Sequence, residues 1–200
     1  MIWRVRRVLT GHDRDGRSTI IADGIAPNMK EMPSFPGLAL TDLWETTAAP
    51  ADNDGHADAA ARPVRLEPPK NGTIFRIVEF PPDSSRPNDS DGAAGFKAIG
   101  AAHAQDRRSS DPMMHKTSTI DYIVVLKGEI YAVLDKGETL LRPGDVFVQR
   151  GTNHSWSVRG SEPCVIAVVL VNAKPVSAGK KKAAARKPAK KSAKKSKKRK

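Results

Sequence analysis

The 200-residue chain reads as an all-β protein, and three observations predict that class. After Met113, short β-prone segments recur at 115–126, 129–134, 138–142, 145–149, 154–158 and 163–171. Turn signals separate them at Lys127-Gly128, Asp135-Lys136-Gly137, Arg142-Pro143-Gly144-Asp145, Gly151-Thr152-Asn153 and Arg159-Gly160. Helical periodicity is nearly absent. Many short strands at this spacing are the signature of a sandwich or barrel, and the length suits one domain with a real core.

The N-terminal half contributes fewer elements. Residues 2–9 are β-prone and basic, 10–17 form a Gly- and Asp-rich turn, and 18–23 form a second strand, which together make a hairpin. Pro27, Pro33, Pro36 and Gly37 make 24–37 an extended crossing segment. Residues 38–47 read as a strand with a bulge or turn, and 48–69 as a solvated loop in which His56 is a surface histidine. Residues 73–80 are the clearest strand of this half, with Phe75, Ile77 and Glu79 on one face and Ile74, Arg76, Val78 and Phe80 on the other. The Pro-, Asp-, Ser- and Gly-rich stretch 81–112, which carries His103, reads as a long loop, either a lid over a site or a mobile insertion.

The net charge of +12 belongs to one end. Fourteen of the 34 Lys and Arg lie between Lys174 and Lys200, where there is no Asp or Glu, so residues 1–173 keep 20 basic against 22 acidic side chains, near −2. The repeated Lys, Ala and Pro of that tail predict disorder. Its cations, among them Lys180, Lys181, Lys182, Arg186, Lys187, Lys190 and Lys191, offer salt-dependent, sequence-independent contact to DNA, RNA or another polyanion. The alternative is a solubilising extension. The tail has no aromatic residue to stack on bases, and no sequence-reading helix-turn-helix is visible.

Cys164 is the only cysteine, which rules out an intramolecular disulfide, and its apolar setting predicts a buried, inert thiol. No apolar run is long enough for a membrane span, and the N-terminus lacks the apolar region of a secretory signal, so a cytoplasmic location is expected.

The chemistry concentrates between His115 and Trp156. On an extended strand His115, Thr117, Thr119 and Asp121 share a face. A Pro-Gly-Asp turn then launches 145–149, and His154 opens the next strand with Trp156 on its own face. If these faces meet inside a barrel, two imidazoles and a carboxylate converge as a two-His, one-carboxylate metal site with open positions. Thr117 is read as a hydrogen-bonding neighbour of bound water or substrate. Tyr122, Gln149 and Trp156 complete the candidate pocket, where the two aromatics serve either core and rim packing or stacking on an aromatic substrate. The same row could instead be a polar network with no metal.

The residues from His115 to Asp121 followed by Gly128, and from Pro143-Gly144-Asp145 to Gly151 and His154, resemble the two motifs of the cupin superfamily. The resemblance covers about residues 113–172 and is closer still to small single-domain cupins of the Cupin_2 type, some described as oxidoreductases of natural-product pathways. GHD, IADG and FRIVEFPP in the N-terminal half share it. Two positions depart from the family pattern: Thr117 stands where a second histidine is usual, and Asp121 where a glutamate is.

The resemblance implies a double-stranded β-helix, or jelly-roll barrel. Residues 1–80 would then be N-terminal strands packing on the barrel, 81–112 a loop or lid, 113–173 the barrel core and 174–200 the disordered tail. It also implies a divalent metal (Fe, Mn, Ni or Zn) held by His115, Asp121 and His154, and a homodimer in which residues 2–9 are a candidate for strand exchange. The expected activity is that of a metal-dependent enzyme on a small organic substrate, aromatic or carboxylic, with oxidoreductase chemistry preferred. Decarboxylase, isomerase or dehydratase chemistry is the alternative, or a non-catalytic ligand-binding module with a polyanion-binding tail.

Overall fold

The computed structural model describes residues 2–176. The cationic stretch from Lys180 onward, for which disorder and polyanion contact are expected, lies outside the described residues.

Among the described residues, eleven strands carry the fold. β1 (Arg6–His12) and β2 (Ser18–Ile25) form the expected hairpin as a separate two-stranded sheet. β3 (Met29–Glu31), β4 (Ala39–Thr46), β5 (Thr73–Phe80), β6 (Thr119–Lys127), β9 (Val146–Arg150) and β11 (Cys164–Asn172) build a six-stranded sheet in the order β3-β4-β5-β11-β6-β9. β7 (Ile130–Leu134), β8 (Glu138–Leu141) and β10 (His154–Ser157) form a three-stranded sheet in the order β10-β7-β8. The result is the all-β jelly roll expected, with two facing sheets that do not close into one continuous barrel.

The core lies between those sheets. Ile74 and Val78 of β5, Ile123 and Val125 of β6, and Ile166, Val168 and Leu170 of β11 meet Ile130, Ala132 and Leu141 of the smaller sheet. Each large side chain so buried stabilises the fold by about 1.5–3 kcal/mol. The turn before β7 needs glycine on two counts. Gly128 has φ 71°, and a Cβ there would lie 2.4 Å from the Pro163 carbonyl oxygen.

Residues 1–80 do more than pack on a barrel. β4 and β5 are integral to the large sheet, and β5 pairs with β11 from Cys164↔Phe80 to Val171↔Thr73. β4 carries the anticipated irregularity as a register shift between Asp42 and Trp44. The shift leaves Asp42 buried, where it accepts from Arg76 Nε at 2.8 Å and from Arg62 at 2.9 Å.

Segment 81–112 is also partly structured. It contains a 3₁₀ turn (Asp83–Ser85) and α1 (Gly92–Ala98), and Phe96, Ile99, Ala101 and Ala104 join the core. Asp91 caps α1 by accepting from Ala94 N–H at 3.1 Å. Among the described residues, no helix is long and apolar enough to cross a membrane.

Candidate functional site

His115 precedes β6 and His154 opens β10, yet the two backbones form an isolated antiparallel bridge. Each N–H donates to the other residue's carbonyl at 2.9 Å, and the imidazole centroids lie 4.2 Å apart. His115 Nδ1 is 2.8 Å from the Met113 carbonyl oxygen, and His154 Nδ1 is 3.0 Å from that of Thr152. A carbonyl can only accept, so Nδ1 carries the proton in each ring and Nε2 keeps its lone pair. Burial holds both rings neutral. It lowers His115, and together with the neighbouring imidazole it pushes His154 down to about 3.

The alternation along β6 does what period two requires. Thr117, Thr119 and Asp121 are buried, with the Thr117 and Thr119 hydroxyls 2.8 Å apart. Asp121 Oδ1 has no hydrogen-bond partner in the protein. Burial pushes the Asp121 carboxyl up to about 6, against smaller lowering by the Thr119 hydroxyl and the Arg76 guanidinium.

His115, Thr117, Asp121, His154 and Trp156 all line one cavity of about 130 Å³ between the sheets. Phe35, Phe80 and Phe96 join aliphatic residues such as Leu40, Ile123 and Val168 in its apolar wall. Trp156 packs edge-on against His154 at 5.8 Å, and Phe96 lies 5.0 Å from His115.

Two expected pocket residues are elsewhere. Tyr122 is 51% exposed on the outer face of the large sheet, because it follows the inward Asp121 by one residue. Gln149 is buried but does not line the cavity. Its amide donates to the Thr152 carbonyl at 3.0 Å and to the Thr152 hydroxyl, fixing the turn that leads into His154. His103 is exposed and bonded to Glu67 at 2.7 Å in a separate polar bowl, and His56 is at the surface as expected. Cys164 is fully buried, with its thiol pushed up to about 12.

The expected metal set meets a geometric limit. Among the described residues, no three His, Cys, Asp or Glu side chains group closely enough to hold a metal ion. His115 and His154 are adjacent, but Asp121 shares their cavity without completing a three-donor cluster, so the set does not fit a metal as it stands.

Residue-by-residue reading missed Phe96 and Phe35. Phe96 lies in the Gly- and Ala-rich run GAAGFKA, and the signal that could have found it is Asp91, a capping residue directly ahead of a short helix.

The Cupin_2 family, a cupin domain, matches residues 103–171. The cupin-domain-containing oxidoreductase fogC of Aspergillus ruber is 28% identical over 187 residues, covering 90% of this chain and 78% of that protein. The phomopsin biosynthesis cluster protein C' of Diaporthe leptostromiformis is 32% identical over 180 residues, covering 85% of this chain and 79% of that protein. Among solved structures, the Schizosaccharomyces pombe Cnp3 cupin domain aligns at 11% identity and a TM-score of 0.43, over 85% of this chain and 89% of that one.

Proposed function

The chain belongs to the cupin superfamily, and on that premise we propose that it is an enzyme that moves protons on a small, mostly apolar organic molecule held between its two sheets. The observation that carries this reading is Asp121: a carboxyl in an apolar cavity, with one oxygen unpartnered and its proton affinity raised to about 6. A carboxylate near that value takes and returns a proton at neutral pH far more effectively than an ordinary surface aspartate. The neutral His115 and His154, accepting through Nε2, orient a substrate hydroxyl or a water beside it. Apolar walls keep bulk water from competing.

The reaction this arrangement supports is removal of a proton from carbon next to a carbonyl, the first step of isomerisation and of many eliminations. Asp121 takes the proton, and the C–H electron pair becomes the C=C bond of an enolate as the carbonyl π pair moves onto oxygen. The carboxyl, after exchange with solvent, returns a proton or deuteron to the carbon. The test is exchange of that hydrogen in phenacyl alcohol in D₂O, followed by proton NMR. Wild type is expected to accelerate exchange and Asp121→Asn to abolish the acceleration. Full exchange in the variant would defeat the assignment.

A second reading is a metal-dependent oxidoreductase. It draws support from the names of relatives such as fogC and from the anchoring of both imidazoles through Nδ1, the way metal-binding histidines are usually held. It requires Asp121 to approach the imidazole pair. Elemental analysis for Fe, Mn, Ni and Zn decides between them: stoichiometric metal lost in His115→Ala favours this reading, and metal-free protein that exchanges deuterium removes it.

A second copy of the chain is the partner proposed for the outer face of the large sheet. Tyr122, Val124 and Leu126 of β6 lie exposed beside Val146 and Val148 of β9, while the β1–β2 hairpin exposes Ile20, Ile21 and Ile25. A monomer leaves both apolar surfaces in water, and a dimer can cover one with the other. Polyanion binding by the tail is proposed on its fourteen cations alone.

A further inference from the structure

The size, wall and charge state of the cavity together restrict its ligand. A cavity of about 150 Å³ lined by Leu, Ile and Phe accepts benzene. At about 130 Å³, the cavity here has room for one ring and little more.

Two cations reach its lining, and each already has a carboxylate. Arg76 Nε donates to Asp42 at 2.8 Å, and Arg86 lies 3.3 Å from Asp83. An anionic ligand would lose its hydration without meeting an uncompensated positive charge. The remaining polar demand is small: Asp121 Oδ1 lacks a donor, and the two imidazole Nε2 atoms accept.

Phe96 sets the limit on the α1 side. It is buried in the core with its ring 5.0 Å from His115, and the helix behind it is held close, since a Cβ on Gly95 would lie 3.2 Å from the Phe35 ring.

From these observations we propose that the site takes an uncharged, single-ring molecule bearing a hydroxyl, and that Phe96 excludes larger ring systems. The hydroxyl donates to Asp121 Oδ1, and the ring lies among Phe35, Phe80 and Trp156. This rests on the reading of the cavity as the substrate site, and it adds the ligand class and a specificity-determining residue.

The test is isothermal titration calorimetry on the full chain at pH 7.5 with benzyl alcohol, benzoate and naphthalenemethanol. Wild type is expected to bind benzyl alcohol at least tenfold more tightly than either of the others. Phe96→Ala, and Phe96→Leu as the variant less disruptive to folding, should each shift the preference toward naphthalenemethanol by at least tenfold, with thermal melts confirming a folded protein. Equal or tighter binding of benzoate, tight binding of naphthalenemethanol by wild type, no binding of any probe, or an unchanged preference in the folded Phe96 variants overturns the proposal. The outcome is separable from that of the proton-transfer reading. Selective binding without deuterium exchange defeats only the latter, and exchange on anionic or two-ring ketones defeats only the proposal made here.

Discussion

His115 and His154 are cross-strand partners: they exchange both backbone hydrogen bonds at 2.9 Å, and their rings lie 4.2 Å apart. The bridge fixes the spacing of the two imidazoles through the main chain. The Nδ1 contacts to Met113 and Thr152 then fix the rotation of each ring. The site is therefore organised by the fold itself, which is the condition for a site to act without reorganising.

The buried imidazoles predict a protein that loses stability in acid. His154 is pushed down to about 3 and His115 is lowered, so the unfolded chain binds protons that the folded chain refuses. The stabilising contribution of both rings is full above about pH 6.5 and falls below it, for His154 down to about pH 3, at roughly 1.4 kcal/mol per pH unit while only the unfolded state is protonated. Asp121, raised to about 6, acts in the opposite sense: its contribution is full below the ordinary aspartate value and is lost as pH rises through 6. Thermal melts should show a gradual loss between pH 6 and 4 and a steeper one below. Asp121→Asn should steepen the upper part.

Catalysis through Asp121 predicts a pH–rate profile for kcat/KM that rises below about pH 6 and is flat above it. Asp121→Asn should lower kcat by about 10²- to 10⁴-fold with the fold intact. A variant retaining the wild-type profile would move the proton-transfer role to another group.

Arg76 depends on Asp42. Burial lowers the guanidinium's proton affinity, and Asp42 opposes that shift from a position with no solvent exposure. Asp42→Asn leaves the buried cation without its charge partner and should cost about 3–5 kcal/mol, read as the midpoint of urea unfolding. The double variant Asp42→Asn with Arg76→Met should recover part of the loss.

The exposed valines of β9 test the dimer. Val146→Lys with Val148→Lys places two charges on the outer face of the large sheet and should convert a dimer into monomer in light scattering. A wild type that is already monomeric at micromolar concentration excludes that use of the face.

The strands were legible where the sequence alternates. Residues 73–80 appear as β5 with the boundaries read, and the face shared by Thr117, Thr119 and Asp121 is the buried one, because period two depends only on local backbone geometry. The same rule, carried one residue further, turns Tyr122 outward. Whether Gln149 faces the cavity or the Thr152 turn was not legible, since its amide finds a partner three residues on that alternation does not describe. The distance from Asp121 to the imidazole pair was equally hidden, because it depends on how two sheets face each other. Phe96 escaped notice because a seven-residue helix is too short to display a period.

The pairing of β5 with β11 brings residues 73–80 beside 164–172, and the family-matched segment 103–171 contains only one of those partners. A truncated chain limited to that segment would present the hydrogen-bonding edge of β11, an apolar strand, to neighbouring molecules, an invitation to aggregate. In the full chain the sheet is sealed only when segments some ninety residues apart meet, the kind of long-range closure that slows folding relative to a local hairpin.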